Sequence, residues 1–130
     1  MISASKEETL RPRRVLVIDD NEDSAWSLAE VLKALGHSAD ALCDPSLALE
    51  KVAAFHPDIV FLDIGMPKID GYTVAEMLRD VYPYEELKLV AVTAYVTDAD
   101  RRQARKSGFD AHVAKPADFE IIESILKTIR

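Results

Sequence analysis

Two short stretches, "VLVI" at 15–18 and "IVFL" at 59–62, are apolar at every position. A strand with one wet face alternates apolar and polar residues, so an unbroken run requires cover on both faces. Helices on both sides of a parallel sheet provide that cover, and parallel neighbours need crossovers long enough to hold a helix. The remaining chain has the matching rhythm. Strand candidates fall at 13–18, 38–43, 58–63, 87–93 and 110–115, each separated from the next by a helical pattern.

Ala25, Leu28, Ala29, Leu32 and Leu35 mark one helical face that stops at Gly36, where a left-handed cap is expected. Asp44 before Pro45 reads as a cap with proline in the first turn; Leu49, Val52 and Ala53 form the inward face, and that helix ends before Pro57. A third helix is expected over 72–82 with Val74, Ala75, Leu78 and Val81 inward. Thr97 or Asp98 caps a fourth helix reaching Gly108, and Phe119, Ile122, Leu126 and Ile129 stripe a fifth. Strict β-α alternation with both-side-buried strands predicts an α/β fold, a doubly wound open sheet of five parallel strands with helices on both faces.

At 130 residues and 48% hydrophobic, the chain suits one compact domain. Residues 1–12 are polar and without period, and read as a flexible lead-in or linker; 13–130 are the domain. The net charge of -7 argues against nucleic acid as a partner, since that affinity rests on clustered Lys and Arg. Cys43 is the only cysteine, which excludes an internal disulfide and suits a reducing, cytoplasmic setting; a small buried residue is expected there. No apolar run approaches the roughly 20 residues that span a bilayer, so no direct membrane contact is expected.

The strand ends carry the chemistry. Asp19 and Asp20 close the first strand pattern, Asp63 the third, Thr93 the fourth and Lys115 the fifth. In an open α/β sheet, sites form at the carboxyl ends of the strands. A single Asp at such a place is usually a turn former or cap. Acids from two strands, joined by a hydroxyl and an ammonium, form a set that suits phosphoryl chemistry with a hard divalent cation, Mg²⁺, and Asp63 as nucleophile.

These motifs, "VIDDNE", "LDIGMPKIDGY", "VTA" and "AKP", resemble those of response-regulator receiver domains of two-component signalling over residues 13–130. The resemblance implies a flavodoxin-like sheet in the order 2-1-3-4-5. It implies that Asp63 accepts phosphate from a histidine kinase or histidine phosphotransfer protein, with slow autodephosphorylation rather than turnover as an enzyme. Asp19, Asp20, Asp63 and the carbonyl of Gly65 would hold Mg²⁺. Lys115 would pair with a phosphoryl oxygen, and Thr93 would bond the phosphoryl group and move.

The family couples that movement to an aromatic residue three before the lysine, where this chain has His112. Gly65 and Tyr95 stand at the positions that tune phosphate lifetime, and the bond before Pro116 is expected to be cis. The fourth helix, fifth strand and fifth helix would form the output or homodimer surface, with Arg101, Arg102, Arg105 and Lys106 as a basic patch and Ile121 and Ile125 broadening the apolar stripe. Trp26 follows the acid pair and is a candidate reporter beside the site. The chain could stand alone or belong to a hybrid histidine kinase. The rival is a haloacid-dehalogenase-like phosphohydrolase, but Gly65 stands where that chemistry needs a second acid.

Overall fold

The computed structural model describes residues 12–66, 69–94, 97–115 and 118–129. Tyr95 and Pro116, singled out above, lie outside the described residues, as does most of the lead-in. Five strands, β1 (Arg14–Ile18), β2 (Ser38–Leu42), β3 (Ile59–Asp63), β4 (Lys88–Thr93) and β5 (Ala111–Ala114), pair in parallel in the order β2-β1-β3-β4-β5. Between them run α1 (Glu22–Ala34), α2 (Ala48–Phe55), α3 (Gly71–Val81) and α4 (Asp98–Ser107), and α5 (Phe119–Thr128) follows β5.

The period of two sorts the sheet into two cores. Val15, Val17, Ile59, Phe61, Val90, Val92 and Val113 pack with Ala25, Ala29 and Leu32 of α1 and Ile122 and Leu126 of α5. Leu16, Ile18, Val60, Leu62, Leu89 and Ala91 pack on the other face with α2, α3 and α4. Every residue of β3 is buried, as its unbroken apolar run requires of the central strand.

The helix ends follow their local chemistry. Asn21 caps α1 by accepting from the Ser24 amide, and Thr97 and Asp100 form a reciprocal capping box on α4. Gly36 and Gly108 take φ +96° and +106°, the left-handed turns that close α1 and α4. Asp44 does accept from Ser46, but the proline turn it opens is a short 3-10 turn (Pro45–Leu47), and α2 proper starts at Ala48.

Several expected inward residues face out. Val81 is 57% exposed because α3 ends there and its stripe has run past the sheet; Phe119 is 51% exposed at the first turn of α5. Ala53 is exposed as well, and Cys43 is half-buried just beyond β2. Trp26 lies on the outer side of α1, its ring facing the Lys33 ammonium at 5.7 Å.

Two arginines tie distant segments. The guanidinium of Arg79 donates to the carbonyls of Gly108, Tyr82 and Leu87 and to Asp110, and stacks on Tyr84 at 3.9 Å. Arg13 donates from its backbone to His37 Nδ1 at 2.9 Å and from its guanidinium to the Ile129 carbonyl at 2.6 Å. Burial, then the charge of Arg13, lowers the pKa of His37 below its ordinary 6.5. A depressed imidazole pKa means that the fold resists protonation. The His37 contribution is therefore complete above the unfolded value and is lost as pH falls through it toward the lower folded value. Urea unfolding midpoints should drop between about pH 7.5 and about pH 5.5. His37→Asn, which keeps an acceptor for the Arg13 amide, should flatten that drop; an unchanged slope would contradict the assignment.

Candidate phosphoryl site

The alternation that builds the two cores also aims the polar strand ends. Asp63 continues the row Ile59, Phe61 on β3; Asp19 continues Val15, Val17 just past β1; and Lys115 continues Ala111, Val113 one residue past β5. All three therefore crown the face covered by α1 and α5. Strand order does the rest, because β3 lies beside β1 and so brings acids 44 positions apart in sequence to one rim.

Ligand oxygens of Asp19, Asp20 and Asp63 lie within 4.8 Å of one another. The Lys115 ammonium bridges two of them, 3.1 Å from Asp19 Oδ2 and 3.2 Å from Asp63 Oδ2. The remaining oxygens are set by backbone donors: the Gly65 amide donates to Asp63 Oδ1 at 2.9 Å, and the Asn21 amide to Asp19 Oδ1 at 3.0 Å. Asp19 and Asp63 are 5% and 7% exposed, whereas Asp20 is open to solvent. Burial alone would disfavour the Lys115 ammonium, but hydrogen bonds to Asp19 and Asp63 and their charges outweigh it and raise its pKa. The lysine stays charged under any ordinary condition.

Three carboxylates against one ammonium leave like charges in close, partly desolvated contact. Their donor set is all hard oxygen with an open side at Asp20, which fits a divalent cation that keeps part of its water shell. Among the described residues, this is the group of acids suited to a metal ion.

Thr93 ends β4 in the other row, after Leu89 and Ala91, so it faces α4 and is buried. It lines one small void with His112, Ile64 and Ala104. Burial, then the charges of Arg101 and Arg105, lowers the His112 pKa. The site thus has its acids and lysine on one side of the strand tips and Thr93 with His112 on the other.

Sequence reasoning passed over two structural supports. Asn21 holds Asp19 through its amide while capping α1; an Asn directly before two acids and a helical stripe was the available signal. Gly71 opens α3 against the Asp63–Ile64 backbone so closely that a side chain there would meet it at 2.5 Å. Nothing local announces that contact.

A five-stranded parallel sheet in this order, with acids and a lysine converging on its rim, is the arrangement expected of a two-component signalling receiver. The response regulator receiver domain model matches residues 15–127, and the chain belongs to that family. It is 34% identical over 118 residues to the sensor histidine kinase CheAY of Helicobacter pylori, covering 87% of this chain and 14% of that protein. The chain therefore spans only a small part of that relative's length. It is 27% identical to the polar-differentiation response regulator DivK of Brucella ovis, covering 80% of this chain and 85% of DivK. A solved response regulator from Burkholderia pseudomallei, described with a phosphorylated aspartic acid, calcium ion and citrate, matches with 31% identity and a TM-score of 0.80 over 89% of this chain and 67% of that one. The family match sets aside the phosphohydrolase alternative.

Proposed function

We propose that Asp63 is the phosphoacceptor of this receiver, taking a phosphoryl group from the phosphohistidine of a histidine kinase or histidine phosphotransfer protein. The observation that carries this is the placement of Asp63: a buried carboxylate at the tip of the central strand, with two further acids and the Lys115 ammonium around it. An Asp63 oxygen forms the bond to phosphorus as the phosphorus–nitrogen bond to histidine breaks, and the leaving imidazole takes up a proton. The incoming group adds roughly -1.5 to -2 charge. Lys115 offsets part of it by pairing with a phosphoryl oxygen. Asp19, Asp20, Asp63 and the Gly65 carbonyl would hold Mg²⁺, which supplies the remaining positive charge at the transferring oxygens. The phosphorylated aspartic acid and calcium ion described for the Burkholderia relative favour the same chemistry here.

Once Asp63 is phosphorylated, Thr93 moves toward the new oxygens and vacates space beside His112, whose ring then turns inward. The signal passes to the surface of α4, β5 and α5, where Arg101, Arg102, Arg105 and Lys106 are exposed on an otherwise acidic chain. That surface would serve the output partner or a homodimer. The single cysteine suits a reducing cytoplasm as the place of action.

Acetyl phosphate, a small phosphodonor, tests the site without a kinase. With Mg²⁺ present, Asp63 becomes labelled; with excess EDTA, labelling falls to background. Mass spectrometry of the intact chain reads both, and labelling that persists under chelation would remove the metal from the proposal.

A further inference from the structure

The ring beside Thr93 is one that titrates. His112 pairs in register with Ala91 of β4, so it shares the sheet face covered by α4, and it lines a void with Thr93, Ile64, Asp100, Arg101 and Ala104. That void is about 10 Å³, room for about one water. On its outer side His112 lines a shallow groove with Arg101 and Arg105, neighbours one turn apart on α4. The charged groups around the ring are therefore Asp100, Arg101 and Arg105 from α4 and Asp110 from the start of β5; β4 and the segment after β3 present Ala91, Thr93 and Ile64. Both carboxylates are already engaged. Asp100 Oδ2 accepts from the Thr97 amide and hydroxyl at 3.0 and 2.9 Å, and Asp110 Oδ2 accepts from the Leu89 amide at 2.9 Å and from Arg79 at 3.2 Å.

We propose that His112 makes the switch of this receiver pH-sensitive: its ring enters the space beside Thr93 only when neutral, so acidification opposes the activated conformation. The inference rests on the reading above, in which Thr93 withdraws toward a phosphorylated Asp63 and the ring turns inward. An imidazolium entering that space would shed its water between Ile64, Ala91 and Ala104 while two guanidiniums stand near it and both carboxylates are bonded elsewhere. A neutral ring carries no such penalty. Burial, with Arg101 and Arg105, already holds the half-buried resting ring below the ordinary 6.5, and deeper burial lowers it further. The activated form thus binds fewer protons than the resting one. Activation is unhindered above the resting value, and the penalty grows as pH falls through it toward the lower activated value. By reciprocity, what the phosphoryl group does to the His112 proton, the proton does to the phosphoryl group.

The test uses the full chain with Mg²⁺ and beryllofluoride, a phosphoryl mimic. NMR titration of the imidazole signals, free and saturated with beryllofluoride, should show the His112 pKa falling by about one unit on binding, with His37 and His56 unmoved. The apparent Kd of beryllofluoride, measured at about pH 7.5 and about pH 5.5, gives the reciprocal reading. Its ratio should be about tenfold larger for the parent chain than for His112→Phe, which keeps a ring without a proton to gain. Comparing the two ratios cancels the pH dependence of the probe and of the acid cluster. A His112 pKa that is the same in both forms, or ratios that coincide, would overturn the proposal. The NMR titration uses the native chain and so stands even if His112→Phe misfolds. Binding without a His112 response sinks this inference alone, whereas no binding at any pH, together with no acetyl phosphate labelling, sinks the phosphoacceptor reading and this inference with it.

Discussion

Asp63→Asn should remove phosphoryl uptake from acetyl phosphate while leaving the fold at least as stable as the parent. An amide oxygen is a poor nucleophile, so labelling at this position should fall to the limit of detection. The stability argument runs the other way. Asp63 sits within 4.8 Å of two other carboxylates, and removing its charge relieves repulsion that the Lys115 ammonium offsets only in part. Lys115 keeps its bond to Asp19, and an amide can still accept from the Gly65 backbone. The metal-free variant should therefore melt at the parent temperature or a few degrees higher, a gain of about 1 kcal/mol at most. Intact-mass labelling and a thermal melt on the same sample separate lost chemistry from lost structure. Undiminished labelling of the variant would mean that the phosphoryl group goes to another residue, with Asp20 the first to map.

Gly71→Ala should damage both fold and site. A Cβ at Gly71 would lie 2.5 Å from Ile64 Cα and 2.6 Å from the Asp63 carbonyl oxygen, backbone atoms that no side-chain rotation can move aside. Relief requires α3 to shift off the sheet or the Asp63–Ile64 peptide to move. Overpacking of this kind costs about 1–3 kcal/mol, which lowers the melting temperature by roughly 3–12 °C. Displacing the Asp63 backbone also misaims the nucleophile, and an error of about 1 Å can slow a positioned reaction by about a hundredfold. Gly65→Ala is the contrasting variant: its Cβ would stand 3.5 Å from Asp63 Oδ1, an ordinary contact, so its melting temperature should hold. A Gly71→Ala protein that melts and labels like the parent would show that α3 has room the structure denies it.

The helical stripes illustrate how far local pattern carries. Ala25, Ala29 and Leu32 on α1, and Val74, Ala75 and Leu78 on α3, are buried as their spacing predicts. The same rule fails at Val81 and Phe119, because a stripe tells which way a residue points and not whether the sheet extends far enough to meet it. Asp44 signalled a cap correctly, yet the turn it opened was 3-10, and the regular helix begins only at Ala48.

What the linear chain determined by itself was the menu: continuous apolar runs that demand cover on both faces, helical spacing between them, and a polar residue at the tip of four strands. These properties are local, set by backbone periods and side-chain polarity, and so can be read residue by residue. Only the tertiary structure decided which tips meet. Lys115 reaches Asp19 across 96 positions because β3 pairs with β1 on one side and β4 on the other, a choice made by packing over the whole sheet.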